Sequence, residues 1–191
     1  LSRNPKAPYP KASSNFADKV ALRVRALGLI DTPTPKVLDC YAGAGKIWAA
    51  VAEEHACDVD QVERDPRVAQ PDAALADNNA VLTRRELDGY DLIDLDAYGW
   101  PDEQLEVVAV RRRGALPVVT ITCAGTPIGR VPNRVLDAAD IPRTVRPGVP
   151  STEPSYWWTR YTTSLGWRTE ERWTGKRVGG AWILYETLIP A

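Results

Sequence analysis

The stretch KVLDCYAGAGKIW, residues 36–48, decides the fold. A short apolar run meets an acid, then two glycines one residue apart, then a lysine. It reads as a β-strand that enters a glycine turn and leaves as a helix. A triphosphate loop would need Gly, four residues, then Gly-Lys-Ser/Thr. Cys40 occupies the first glycine position and Ile47 follows Lys46, so the hydroxyl that would hold magnesium is missing. A dinucleotide fingerprint would put glycines at Tyr41, Gly43 and Lys46, and only Gly43 is one. The remaining reading is a turn whose small residues admit a nucleoside close to the backbone. Asp39 stands at the strand end. Glu63 closes a second strand, at about the 20-residue spacing where an acid accepts both ribose hydroxyls.

Outward from this turn the pattern alternates. Residues 1–14 read as an extended basic arm, followed by a helix over 16–27 between Asn15 and Gly28. After the helix at 46–55 come a strand at 57–65, a helical stretch at 67–77, a short third strand at Val81-Leu82 and a fourth at 90–96. Pro101 opens a helix with Asp102 and Glu103 first, Arg111–Arg113 last and Gly114 after, as the helix dipole favours. A fifth strand covers 116–125. The proline-rich segment 126–155 reads as a long substrate loop or lid. A helix at 155–166 and strands at 167–173 and 181–189 close the chain. The expectation is one α/β domain over 1–191, with a parallel sheet, helices on both faces and an antiparallel closing hairpin.

Composition narrows the function classes. With 44% apolar residues the chain can fill a core. A formal net charge of −1 provides no global field toward nucleic acid or membrane, so an anionic partner needs a local patch. Cys40, Cys57 and Cys123 are odd in number and lack CxxC spacing. That suits a reducing, cytoplasmic setting without a metal site. No apolar run reaches membrane-spanning length, and no signal peptide is expected.

Asp39-x-Tyr41-Ala42-Gly43-x-Gly45 resembles motif I of the Rossmann-like (class I) S-adenosylmethionine (SAM) methyltransferases. Its aromatic-Ala-Gly form resembles the enzymes that methylate nucleic-acid bases. The resemblance implies a three-layer fold with a mostly parallel seven-stranded sheet and an antiparallel C-terminal hairpin. It also implies SAM held by Asp39, Tyr41, Ala42, Gly43, Gly45 and Glu63. YDLIDLDAYGWP (90–101), with VVTITCAGTP (118–127), resembles the tRNA guanine N2-dimethyltransferases, whose fourth motif reads Asp-Pro-Phe-Gly. Asp96 and Gly99 match, Tyr98 replaces Phe, and Ala97 stands where the family has Pro. The implied acceptor is an exocyclic amine of a nucleic-acid base. Asp96 would accept its N–H, Tyr98 would stack on the base, and Ala97 and Gly99 would line the site.

Other residues compete for roles. Arg3, Lys6, Lys11, Lys19, Arg23 and Arg25 form a basic N-terminal stretch suited to phosphates. Arg130, Arg134, Arg143 and Arg146 lie in the long loop, with Arg130 a further substrate contact. Cys123 reads as a small buried strand-end residue with no evident activating base; the rival reading is that TITC resembles the strand end that carries the nucleophile of RNA cytosine-C5 enzymes. His55 reads as a helix-end residue. Trp157, Trp158, Tyr161, Trp167, Trp173 and Trp182 read mainly as core between a helix and the hairpin. The length leaves no room for a separate recognition domain, so specificity would need the arm, the loop, a homo-oligomer or a partner. Methylation of a small-molecule or protein amine, and a non-catalytic scaffold, stay open as alternatives.

Overall fold

The computed structural model describes residues 15–97, 99–124, 131–142, 144, 146, 155–176 and 182–191. The elements in chain order are α1 (Phe16–Leu27), β1 (Lys36–Asp39), α2 (Lys46–Ala52), β2 (Asp58–Glu63), β3 (Ala74–Leu75), α3 (Asn78–Arg84) and β4 (Leu92–Ala97). They continue with α4 (Asp102–Arg111), β5 (Val118–Ala124), α5 (Asn133–Ala138), α6 (Ser155–Ser164), β6 (Trp167–Lys176) and β7 (Trp182–Pro190). The seven strands form one sheet in the order β3-β2-β1-β4-β5-β7-β6. β1 to β5 run parallel, and β7 is antiparallel to both β5 and β6. This is the mostly parallel seven-stranded sheet with a closing hairpin that the sequence implies.

Side-chain alternation sorts the core into two layers around the sheet. Val37, Leu92 and Val118 pack against Ala26, Leu27, Trp48 and Val51 of α1 and α2. Leu38, Ile93, Leu95, Val119 and Ile121 pack on the other face, against α3 to α6. Trp158 and Trp167 are fully buried there, as expected of the aromatic cluster. The Trp158 indole donates to Glu186 Oε2 at 2.6 Å and the Trp167 indole to Pro117 O at 3.1 Å.

One buried ion pair ties α1 to the sheet. Arg23 is fully buried and donates to Asp94 from Nε (2.9 Å) and Nη2 (2.8 Å). One turn earlier on α1, Lys19 reaches Asp96 at 2.5 Å. The spacing matches because four helical residues rise about 6 Å and two strand residues about 6.5 Å. α1 therefore runs antiparallel to β4, and its N-terminal turn lies at the carboxyl edge of the sheet.

The structure corrects several local expectations. Residues 67–77 do not form a helix. Ala74 and Leu75 pair with Val62 and Glu63 as β3. Val81 and Leu82, expected as a strand, lie in α3 because Asp77 caps that helix, accepting from Ala80 N at 3.2 Å. α2 ends at Ala52, before His55. The segment 126–155 contains α5, which buries Val135 and Leu136. Arg112 leaves the end of α4 to donate to Leu87 O (2.9 Å) and Tyr90 O (2.6 Å).

Removing one partner from a buried ion pair strands the other. Arg23→Met should lower stability by about 3–5 kcal/mol in urea unfolding. Arg25→Met breaks a surface pair with Glu171 and a cation–π contact over the Trp173 ring, and should change it by about 1 kcal/mol at most.

Candidate active site

The strand order reverses between β1 and β4, because β2 and β3 lie to one side and β5 to the other. In an open α/β sheet the ligand crevice forms outside the carboxyl ends of strands at such a switch point. The two loops that meet there follow Asp39 and Ala97. The sequence motifs sit on these loops.

The glycine turn is held by its own backbone and by Glu63. Ala42 N donates to Val62 O (3.1 Å) and Gly45 N to Ala42 O (2.8 Å). Glu63 Oε2 accepts from Gly43 N and Oε1 from Asp65 N, both at 2.8 Å. Gly43 (φ 53°) and Gly45 (φ 66°) adopt left-handed conformations that favour glycine. A Cβ on Gly45 would meet Gln70 Cγ at 2.8 Å and the Gln61 amide at 3.1 Å, whereas one on Gly43 would meet nothing within 4 Å. Gln70 also donates its amide to Ala44 O. The two glutamines thus brace one side of the turn, and the space beside Gly43 stays open.

Asp39, expected near a ligand's cationic group, is 3% exposed and faces α1. Its Oδ1 accepts from Tyr41 N at 3.1 Å, so its carboxyl shapes the turn from beneath. Burial, and next the charge of Asp94, push its pKa well above the ordinary carboxyl range. Tyr41 is half-buried. Burial raises its hydroxyl pKa to about 12, partly offset by a hydrogen bond with the Asn78 side chain.

β4 delivers two acids to the same face. Asp94 is 1% exposed and accepts from Arg23, from the Trp48 indole (2.9 Å) and from Thr120 Oγ1 (2.8 Å). Four donated bonds leave it no role toward a ligand. Asp96 lies nearer the edge, with its side chain 17% exposed. Lys19 and, at 3.8 Å, Arg23 both approach its Oδ2. Ala97 is buried and, by strand alternation, shares the face of Leu95 rather than that of Asp96. Gly99 has φ 121°, a backbone conformation that favours glycine. Tyr98, Lys11 and Arg130 lie outside the described residues, as does the arm over 1–14.

One expectation is corrected here, and two open readings are decided. Lys19, Arg23 and Arg25 do not form a phosphate patch, because each is paired within the chain, with Asp96, Asp94 and Glu171. Arg134 and Arg146 of the long loop are likewise tied to acids. Arg134 pairs with Asp102, Glu103 and Glu106, and Arg146 with Asp137. Cys123 is 1% exposed and faces the α4–α6 layer, away from Asp96. Burial pushes its thiol pKa to about 12, which opposes the thiolate that a nucleophile requires.

Sequence reasoning missed Lys19 as the partner of Asp96 and Gln61 and Gln70 as braces of the turn. Only α1's helical spacing of Lys19 and Arg23 hinted at the first. Among the described residues no cluster suited to a metal ion occurs, and no helix is long and apolar enough to cross a membrane.

No protein-family model matches the sequence, and no curated protein matches it. Solved structures do match its shape. The 1,6-didemethyltoxoflavin-N1-methyltransferase of Burkholderia thailandensis, with 1,6-didemethyltoxoflavin and S-adenosylhomocysteine bound, superposes with TM-score 0.61 at 13% identity. The match covers 94% of this chain and 79% of that one. TYW2 of M. jannaschii, in complex with AdoMet, gives TM-score 0.54 at 11% identity over 97% of this chain and 80% of that one. TYW2 of P. horikoshii, in complex with MeSAdo, gives 0.56 at 17% identity over 96% of this chain and 64% of that one. A transferase fold from Pyrococcus horikoshii is also spanned only to 64% of its length. These likenesses establish the fold, which is the Rossmann-like fold of the class I methyltransferases.

A carboxyl whose pKa rises on folding contributes stability in full below its ordinary value, and loses that contribution as pH climbs toward the raised one. Asp39→Asn keeps the oxygen that receives Tyr41 N–H. Between about pH 4 and pH 8 its urea midpoint should fall less than that of the wild type. An equal fall would remove Asp39 from that pH dependence.

Proposed function

We propose that this chain is a SAM-dependent methyltransferase whose acceptor is an exocyclic amine of a nucleic-acid base. The observation that carries the reading is the meeting of the Gly43–Glu63 turn and the Asp96 edge at one switch point of this fold. The turn fits the donor. Gly43 leaves open space beside it, and Glu63 uses two of about four lone-pair positions on backbone N–H groups. The others suit ribose hydroxyls. Tyr41, Ala42, Gly43 and Gly45 would form the wall against the nucleoside, with Asp39 holding their backbone from below.

The group held there would supply a methyl on sulfonium sulfur; a neutral amine would form the N–C bond as the C–S pair stays on sulfur, and the amine's proton would leave to water. Asp96 would accept the amine's N–H and aim its lone pair. With the methyl already activated, positioning supplies most of the rate. Tyr98 would stack on the base, with Gly99 allowing close approach.

A second reading, methylation of a small-molecule amine, is favoured by one observation. The three basic residues of α1 are each engaged within the chain, which weakens the case for phosphate contacts there.

Transfer of labelled methyl from SAM into pooled tRNA, rRNA, duplex DNA and a metabolite extract separates the two. Label in a nucleic-acid fraction is the expected result, and label confined to metabolites would move the assignment to the second reading. Asp96→Asn should reduce transfer by about 100-fold while SAM affinity holds. Undiminished transfer would remove Asp96 from the mechanism.

A further inference from the structure

We propose that Lys19 sets the acceptor chemistry of this site: held on Asp96, it makes the pocket select a neutral ring-bound amine and exclude an aliphatic ammonium. The inference rests on the reading of Asp96 as the acceptor-facing acid.

The geometry fixes Lys19 at two points. Its ammonium lies 2.5 Å from Asp96 Oδ2, with both side chains mostly covered at 18% and 17% exposure. Its backbone carbonyl accepts from Arg23 Nη1 at 3.0 Å, and the same nitrogen donates to Thr122 Oγ1 at 3.1 Å. The buried Arg23 clamp therefore sets the position of α1's first turn, from which Lys19 reaches out.

Charge along this face is balanced residue by residue. Arg23 neutralises Asp94 and Lys19 neutralises Asp96. Asp39 is buried in a setting that favours its neutral form, and Glu63, two strands from Asp96, is engaged by the backbone N–H groups of Gly43 and Asp65. At Asp96 itself no unpaired negative charge is thus left to draw in a cation. An unpaired carboxylate there would do the reverse. It would bind an aliphatic ammonium, which has no lone pair to offer a methyl group until it loses a proton that it holds to about pH 10. An amine on an aromatic ring is neutral and has N–H groups to donate. Lys19 and Arg23 both approach Oδ2, so Asp96 can present Oδ1 to such a donor. Repulsion of the wrong substrate, added to a fit for the right one, is how specificity is commonly built.

The test uses two probes on the full chain with S-adenosylhomocysteine present. One is 2-aminopurine riboside, a fluorescent neutral ring amine. The other is putrescine, an aliphatic dication. Wild type should bind 2-aminopurine riboside, with putrescine a weak competitor. In Lys19→Met putrescine should compete at concentrations at least about tenfold lower, and Lys19→Arg should behave as wild type. A role confined to pinning α1 would weaken both probes together and leave their ratio unchanged. An unchanged ratio in Lys19→Met, or failure of Lys19→Arg to restore discrimination, would overturn the proposal. If wild type binds neither probe yet binds S-adenosylhomocysteine, the assignment of the Asp96 edge as the acceptor site fails, and the inference fails with it.

Discussion

The structure depends on one buried carboxylate. Asp94 receives two bonds from Arg23, one from Trp48 and one from Thr120. Those donors come from α1, α2 and β5, so a single side chain of β4 joins four elements. Two ions removed from water are tolerated only when the geometry is good and the remaining lone pairs are satisfied. Both conditions hold here. The glycine turn leads directly into α2, and Trp48 lies in that helix. The same network thus sets the turn's position relative to the end of β4.

Three acids on one face of adjacent strands acquire three different roles from their surroundings. Asp39 is buried beneath a turn and holds its backbone. Asp94 is buried on a guanidinium and holds the layers together. Asp96, two residues beyond Asp94 and closer to solvent, is paired with Lys19 at the edge where open α/β sheets generally bind ligands. Environment divides the work among chemically identical groups, as it does wherever paired carboxyls are tuned apart. On the other face the central strands β1, β4 and β5 are apolar, and Cys123 belongs to them, with Asp60 and Glu186 on the flanking strands.

The parts legible in the sequence were those written in local pattern. The apolar run into Gly43 and Gly45, the fourth strand ending at Asp96, and the Trp-rich closing hairpin each have a period or turn signal that survives without tertiary context. β3 and α3 were exchanged because Val81-Leu82 looks like a strand core, while the stronger local cue was Asp77 as a cap. Pro132, immediately before α5, was a similar cue inside a segment read only as loop. The basic face of α1 misled for a different reason. Lys19 and Arg23 find partners more than seventy residues away, and no local window contains both ends of such pairs. The turn was visible in sequence, but its bracing by Gln61 and Gln70 was not, because glutamine at those positions carries no signal of its own.

Everything proposed for this site requires that the Gly43–Glu63 turn hold SAM. Calorimetric titration with SAM, on wild type and on Glu63→Ala, tests it most directly. Wild type should show one site and the variant an affinity at least about tenfold weaker, since a carboxylate's bonds to ribose hydroxyls would be lost. No binding by the wild type, or equal binding by both, would contradict it.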